Sequence, residues 1–251
     1  MLFRSRRPLA HAKELLPFIV SVVFFILSIA VCYKGLKNLH LDLEFSNVLL
    51  IAFVMGILGF FLSKVLVRYI PDDDSKDFAH QFNTTENLFK YLQILTAFYI
   101  AFAHGSNDVA NAVGPLAAVV SILDGGVVGM KVAMPIWILG LGGGFIVFGL
   151  MVWGYRVMAT VGENITDITP SRGFCATFGA ASVVLICSKM GLPISTTHTL
   201  VGSIIGVGLA RGLPTLNLGI IKMIFISWVT TIPFTAIISM IFFKAFLLFL
   251  P

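Results

Sequence analysis

The segment HGSNDVANAVGP, His104 to Pro115, places Ser106, Asn107, Asp108 and Asn111 between two long apolar runs. A carboxylate near the middle of a bilayer costs about 2.5–3.5 kcal/mol on insertion scales, so such a residue faces a cavity, a partner or an ion. A helix interrupted at Gly105 and Ser106 would free backbone carbonyls there. With the Asp108 carboxylate and the amide oxygens of Asn107 and Asn111, those carbonyls form a hard-oxygen set suited to a small cation. No Lys or Arg lies within the motif, so a sodium ion at Asp108, or a proton, would supply the neutralising charge. The alternative is that these side chains only hydrogen-bond across helices, with Asp108 protonated.

A second cluster, GLPISTTHTLVGS from Gly191 to Ser203, carries the complementary chemistry. Pro193 stops a helix, so Ser195, Thr196 and Thr197 fall at the start of the next one, where free N–H groups and the dipole favour an anion. The hydroxyls add donors. A plain N-cap is the simpler use of the same residues. His198 is an accessory group that either hydrogen-bonds locally or titrates, and Gly202 with Gly206 gives a small-residue face for helix packing. Ser195 and His198, three apart, could also join Asp108 as a hydrolase triad inside the membrane.

The elements that must position these groups are membrane spans. Of 251 residues, 58% are hydrophobic and 12% charged, and mean hydropathy is +0.97, leaving too little polar surface to cover a soluble core. The fold class is all-α, a polytopic helical membrane protein. Spans are expected over Leu15–Leu36 and Asn47–Tyr69, joined by a short loop into a hairpin occupying 1–70. The polar stretch Pro71–Glu86 reads as a linker. Asn87–Leu123 is nearly twice the length a straight span needs, which predicts a broken transmembrane helix with the first motif at the break. A span over Met134–Trp153 contains GLGGG, Gly140 to Gly144, read as a close-packing face. Phe174–Cys187 and the apolar run ending at Leu209 flank the second motif as a re-entrant helical hairpin, or as two short full spans. Leu218–Leu250, with Pro233 inside, reads as one kinked helix.

The net charge of +5 does not indicate a nucleic-acid partner, because the basic residues sit in short segments between apolar runs. Arg4, Arg6, Arg7 and Lys13 before the first span, and Lys64, Arg68, Lys76 and Lys90 around the linker, place the amino terminus and linker in the cytoplasm. Insertion in a cell, or inner, membrane among lipid follows. The first apolar stretch is too long for a signal peptide and lacks its cleavage site, so it reads as a retained span. Cys32, Cys175 and Cys187 lie in apolar segments with no metal-ligand spacing. No cofactor beyond a coupling ion is expected.

AFAHGSNDVANAVGPLAA and GLPISTTHTLVGSIIGVGLARG resemble the two signatures of the inorganic phosphate transporter family, the cation-coupled phosphate permeases. The resemblance implies secondary transport of phosphate driven by sodium or protons, not enzyme activity. Asp108, with Ser106, Asn107 and Asn111, would form the cation site, and Ser195, Thr196 and Thr197 would contact phosphate. Members carry two inverted repeats, each with both signatures, whereas one copy of each stands here, in a transport repeat over 87–251. The chain therefore resembles the second half of such a permease: a split or truncated product, a half that pairs with a separate first-repeat half, or a homo-oligomer. Sulfate transport, an intramembrane hydrolase and a non-transporting membrane subunit are the competing readings.

Overall fold

The computed structural model describes residues 8–32, 43–70, 78–123 and 135–249. Its elements are helices: α1 (Pro8–Ala30), α2 (Phe45–Arg68), α3 (Phe78–Leu123), α4 (Ile136–Glu163), α5 (Pro170–Lys189), α6 (Thr196–Leu209) and α7 (Leu218–Phe249). All but α6 are long and apolar enough to cross a membrane. Arg4, Arg6, Arg7 and the linker stretch 71–77 lie outside the described residues, while residues 78–86 form the first turns of α3.

α1 and α2 pack antiparallel, with Gly56 against Ser21, Gly59 against Phe24, and the Lys13 ammonium donating to the Ile70 carbonyl at 2.6 Å. The small residues on α2 let the backbones approach, as expected where lipid supplies no hydrophobic drive between helices. α3 and α5 run parallel, because partners rise together along both: Glu86 with Ser171, Thr96 with Thr177, Tyr99 with Ser182. α5 is the most enclosed of the spans, and α7 has no buried residue.

Three elements differ from expectation. α3 is one uninterrupted helix of 46 residues, about 69 Å long, and does not break at Gly105 and Ser106. A glycine inside a helix costs only about 1 kcal/mol, whereas each backbone group released into hydrocarbon costs several, so the helix continues. Ser106 returns its hydroxyl to the Ala103 carbonyl at 3.0 Å. The local defect is Pro115, which has no N–H to offer the carbonyl of Asn111. Second, α4 continues past Trp153 to Glu163, since no proline interrupts YRVMATVGE. Third, the hairpin arms are unequal. α5 has 20 residues and reaches about 30 Å, a full hydrocarbon thickness, while α6 has 14 and does not. α5 gains its extra turn because Glu86 of α3 caps it: the carboxylate accepts from Ser171 N at 2.9 Å and Ser171 Oγ at 2.8 Å.

The glycine face of α4 is packed at one position. Gly142 lies against Val113 of α3, while Gly140, Gly143 and Gly144 face open space, as do Gly202 and Gly206 of α6. The α4, α6 and α7 ends are tied together by Asn217 N donating to the Ile165 carbonyl at 2.9 Å and Thr166 Oγ1 to the Thr215 carbonyl at 2.9 Å.

Candidate functional site

The turn between α5 and α6 is built by its sequence. Gly191 takes φ +72°, with Leu192 N reaching the Cys187 carbonyl and Gly191 N that of Ser188, the two bonds of a Schellman stop. Pro193 then prevents the helix resuming until Ser195 caps α6. Ser195 Oγ accepts from His198 N at 3.3 Å and lies 2.7 Å from His198 Nδ1, so the plain N-cap role is present. The backbone carbonyl of Ile194, left out of both helices, points at α3.

There it meets the first motif. Asn107 is buried, and its Nδ2 donates both to the Ile194 carbonyl at 2.9 Å and to Asp108 Oδ1 at 2.8 Å. Thr196, also buried, donates its hydroxyl to the same Asp108 Oδ1 at 3.1 Å. The second carboxylate oxygen, Oδ2, lies 2.7 Å from His104 Nε2, one helical turn earlier. Asp108 thus sits among an imidazole, an amide and a hydroxyl, with 31% of its side chain exposed. Two motifs nearly ninety residues apart converge on one carboxylate.

The expected groups divide. Asn107, Asp108 and Thr196 come together, whereas Ser106 turns back to its own helix and Asn111 is exposed on the next turn. Ser195 and Thr197 flank Thr196 on the exposed side of the α6 start. The carbonyl near Asp108 comes from Ile194 in the α5–α6 turn, not from a break in α3. The hydrolase arrangement is not assembled. Ser195 and His198 touch, but His198 stacks on Trp228 with centroids 3.8 Å apart, and the Asp108 carboxylate is held by His104, Asn107 and Thr196.

Two groups carried a signal that the sequence reading did not use. His104 stands four residues before Asp108, the spacing that puts two side chains on one helix face. Glu86 closes the polar stretch that reads as a linker, yet it is buried at the N-terminus of α5, where a carboxylate satisfies exposed N–H groups.

In chemical terms the site offers the Asp108 carboxylate, the Asn107 amide oxygen, the Thr196 hydroxyl oxygen and the Ile194 carbonyl to a hard cation. Beside them lies a helix N-terminus rich in hydroxyls, a seat for an oxyanion.

A sequence profile of the phosphate transporter family matches residues 1–239. A Haemophilus influenzae protein named "Putative phosphate permease" is 44% identical over 249 residues, which is 97% of this chain and 58% of that protein. The Arabidopsis thaliana protein "Inorganic phosphate transporter 2-1, chloroplastic" is 51% identical over 164 residues, 64% of this chain and 28% of that one. A solved structure described as "The sodium-dependent phosphate transporter" superposes with a TM-score of 0.77 at 41% identity, covering 92% of this chain and 56% of the other. The chain spans 58% of the length of the first of these relatives.

Proposed function

We propose that this chain, which belongs to the phosphate transporter family and is an integral membrane protein, carries inorganic phosphate across the membrane with a small cation, as half of a two-repeat permease. The observation that carries the reading is the hydrogen bond from Thr196 Oγ1 to Asp108 Oδ1. It joins the cation groups of α3 to the oxyanion groups of α6 through a single proton.

The coupling follows from that proton. With Asp108 unneutralised, the Thr196 hydroxyl donates to the carboxylate, and the nearby negative charge repels phosphate. A cation on the Asp108 and Asn107 oxygens cancels the charge and lets Thr196 turn its hydroxyl to the oxyanion, beside Ser195, Thr197 and the N–H groups of the first α6 turn. Each ion therefore raises affinity for the other, and access alternates as α3, α5 and α6 move against the remaining helices. The solved neighbour described as sodium-dependent favours sodium over a proton as the coupling ion. The rest of the substrate site comes from a first repeat. A second, oppositely inserted copy fits less well, because the Lys and Arg bias sets one orientation with the amino terminus cytoplasmic.

The test is uptake of radiolabelled phosphate into proteoliposomes under an inward sodium gradient, a proton gradient or neither, with sulfate as competitor. The chain is reconstituted alone and with a first-repeat half. Sodium-driven phosphate uptake is expected with the partner present. Gradient-independent flux, absence of uptake in both formats, or equal uptake of sulfate would overturn the reading.

A further inference from the structure

A cavity of about 370 Å³ opens between the last turns of α4, the first turns of α6 and the first half of α7. Most of its wall is apolar, but Arg156, Thr197 and Ser227 all border it, an apolar cleft with a few polar groups of the kind that holds small ligands. Thr160 on this wall returns its hydroxyl to the Arg156 carbonyl at 3.0 Å, but other donors there are unspent. Arg156 gives its Nε–H to the Tyr155 hydroxyl at 2.9 Å, leaving the four N–H groups of its fork. Thr197 Oγ1 and Ser227 Oγ make no side-chain hydrogen bond among the described residues. A guanidinium and two hydroxyls facing one space match a tetrahedral oxyanion.

The position fits as well. Arg156 stands twenty residues into α4, about 30 Å from its start and so at the far edge of the hydrocarbon. The segment after α4 is pinned to the connection between α6 and α7 through Ile165, Thr166 and Asn217, which holds the last turns of α4 beside the first turns of α7 at that end of the bundle. Its wall includes Thr197, which the proposed function places at the phosphate seat.

We propose that this cavity is the route by which phosphate reaches its seat from that face, with Arg156 and Ser227 binding the oxyanion on the way and passing it to Thr197. The proposal rests on the phosphate reading. The shared chemistry is that of a phosphate oxyanion, and a lipid headgroup is the other source of one at this depth.

The test is equilibrium binding of inorganic phosphate to the purified full chain, with its first-repeat partner, in phosphate-free detergent at saturating sodium. Arg156→Gln is expected to weaken binding about tenfold, the scale of one lost hydrogen-bonded charge, and Arg156→Lys by no more than about threefold. Wild-type affinity in Arg156→Gln overturns the inference and leaves the transport reading standing. Absence of binding by the wild type overturns the transport reading itself. If Arg156→Gln lowers retention of anionic lipid in nanodiscs but not phosphate affinity in detergent, the arginine is a lipid anchor and the inference fails. Should that variant not fold, Ser227→Cys, with Cys175 and Cys187 replaced by serine, gives a second reading. Phosphate, and not chloride, is expected to slow its reaction with a negatively charged thiol reagent several-fold, and an unchanged rate overturns the proposal.

Discussion

Replacing Thr196 by valine tests the coupling at its narrowest point. Valine keeps the volume and the branched shape of a buried residue but removes the proton donated to Asp108 Oδ1 over 3.1 Å. A hydrogen bond to a charged group contributes about 1.5–3 kcal/mol. Asp108 is 31% exposed and keeps Asn107 and His104, so water and these neighbours recover part of the loss. About 1–2 kcal/mol remains, a change of about 5- to 30-fold. The assay measures phosphate affinity without sodium and at saturating sodium, and takes the ratio. Linkage requires the same ratio for sodium affinity with and without phosphate, which gives an internal check. In Thr196→Val the ratio falls by that factor in both directions, whereas Thr196→Ser, which retains the hydroxyl, stays close to wild type. A valine variant with the wild-type ratio, or a serine variant as impaired as valine, would refute the reasoning.

Asp108→Asn keeps the shape and removes the charge, so sodium should no longer enhance phosphate binding; a variant with undiminished sodium dependence would remove Asp108 from the cation site. Glu86→Gln retains one oxygen for Ser171 but not the charge facing the α5 N-terminus, and is expected to cost about 1–2 kcal/mol of stability, read as a lower thermal midpoint in detergent, with ion affinities unchanged. Gly142→Ala would drive a methyl into Val113 of α3 and destabilise by about 1–3 kcal/mol, while Gly143→Ala, facing open space, should be neutral in the same melting assay.

The spans were legible because hydrocarbon thickness imposes a length that hydropathy reads directly, as for α2 and α7. Arg and Gly inside α4 obscured its end: Tyr155 and Arg156 look like loop residues, although a helix can carry an arginine at the membrane edge. Continuity at Gly105 was not legible, since a glycine-serine pair suits a break or a mild defect equally, and only the expense of unpaired backbone in lipid decides between them. For the site, the residue types marked out two polar clusters, of which Asn107, Asp108 and Thr196 come together. The join between them, Asn107 to Ile194 and Asp108 to Thr196, spans nearly ninety positions and belongs to packing, which no local pattern encodes. Glu86 was hidden for the same reason, because its partner is Ser171.

The polar seam between α3 and α5 has a consequence for the direction of traffic. Glu86–Ser171, Thr96–Thr177 and Tyr99–Ser182 fasten the two helices at three levels, and Asn107–Ile194 adds a fourth link from α3 to the turn after α5, the four spread over about 32 Å of α3. Sliding one helix past the other would break all four at once, in a medium with no water to replace them. On the proposed function, the carboxylate that would seat the cation and the turn that would seat the anion are thus held on one block. Two seats so held would face the same compartment at every moment, which favours symport of the two ions over exchange of one for the other. Vesicles preloaded with sodium and phosphate should lose phosphate when external sodium is removed. Accelerated phosphate loss on adding sodium outside would show that the seats move independently.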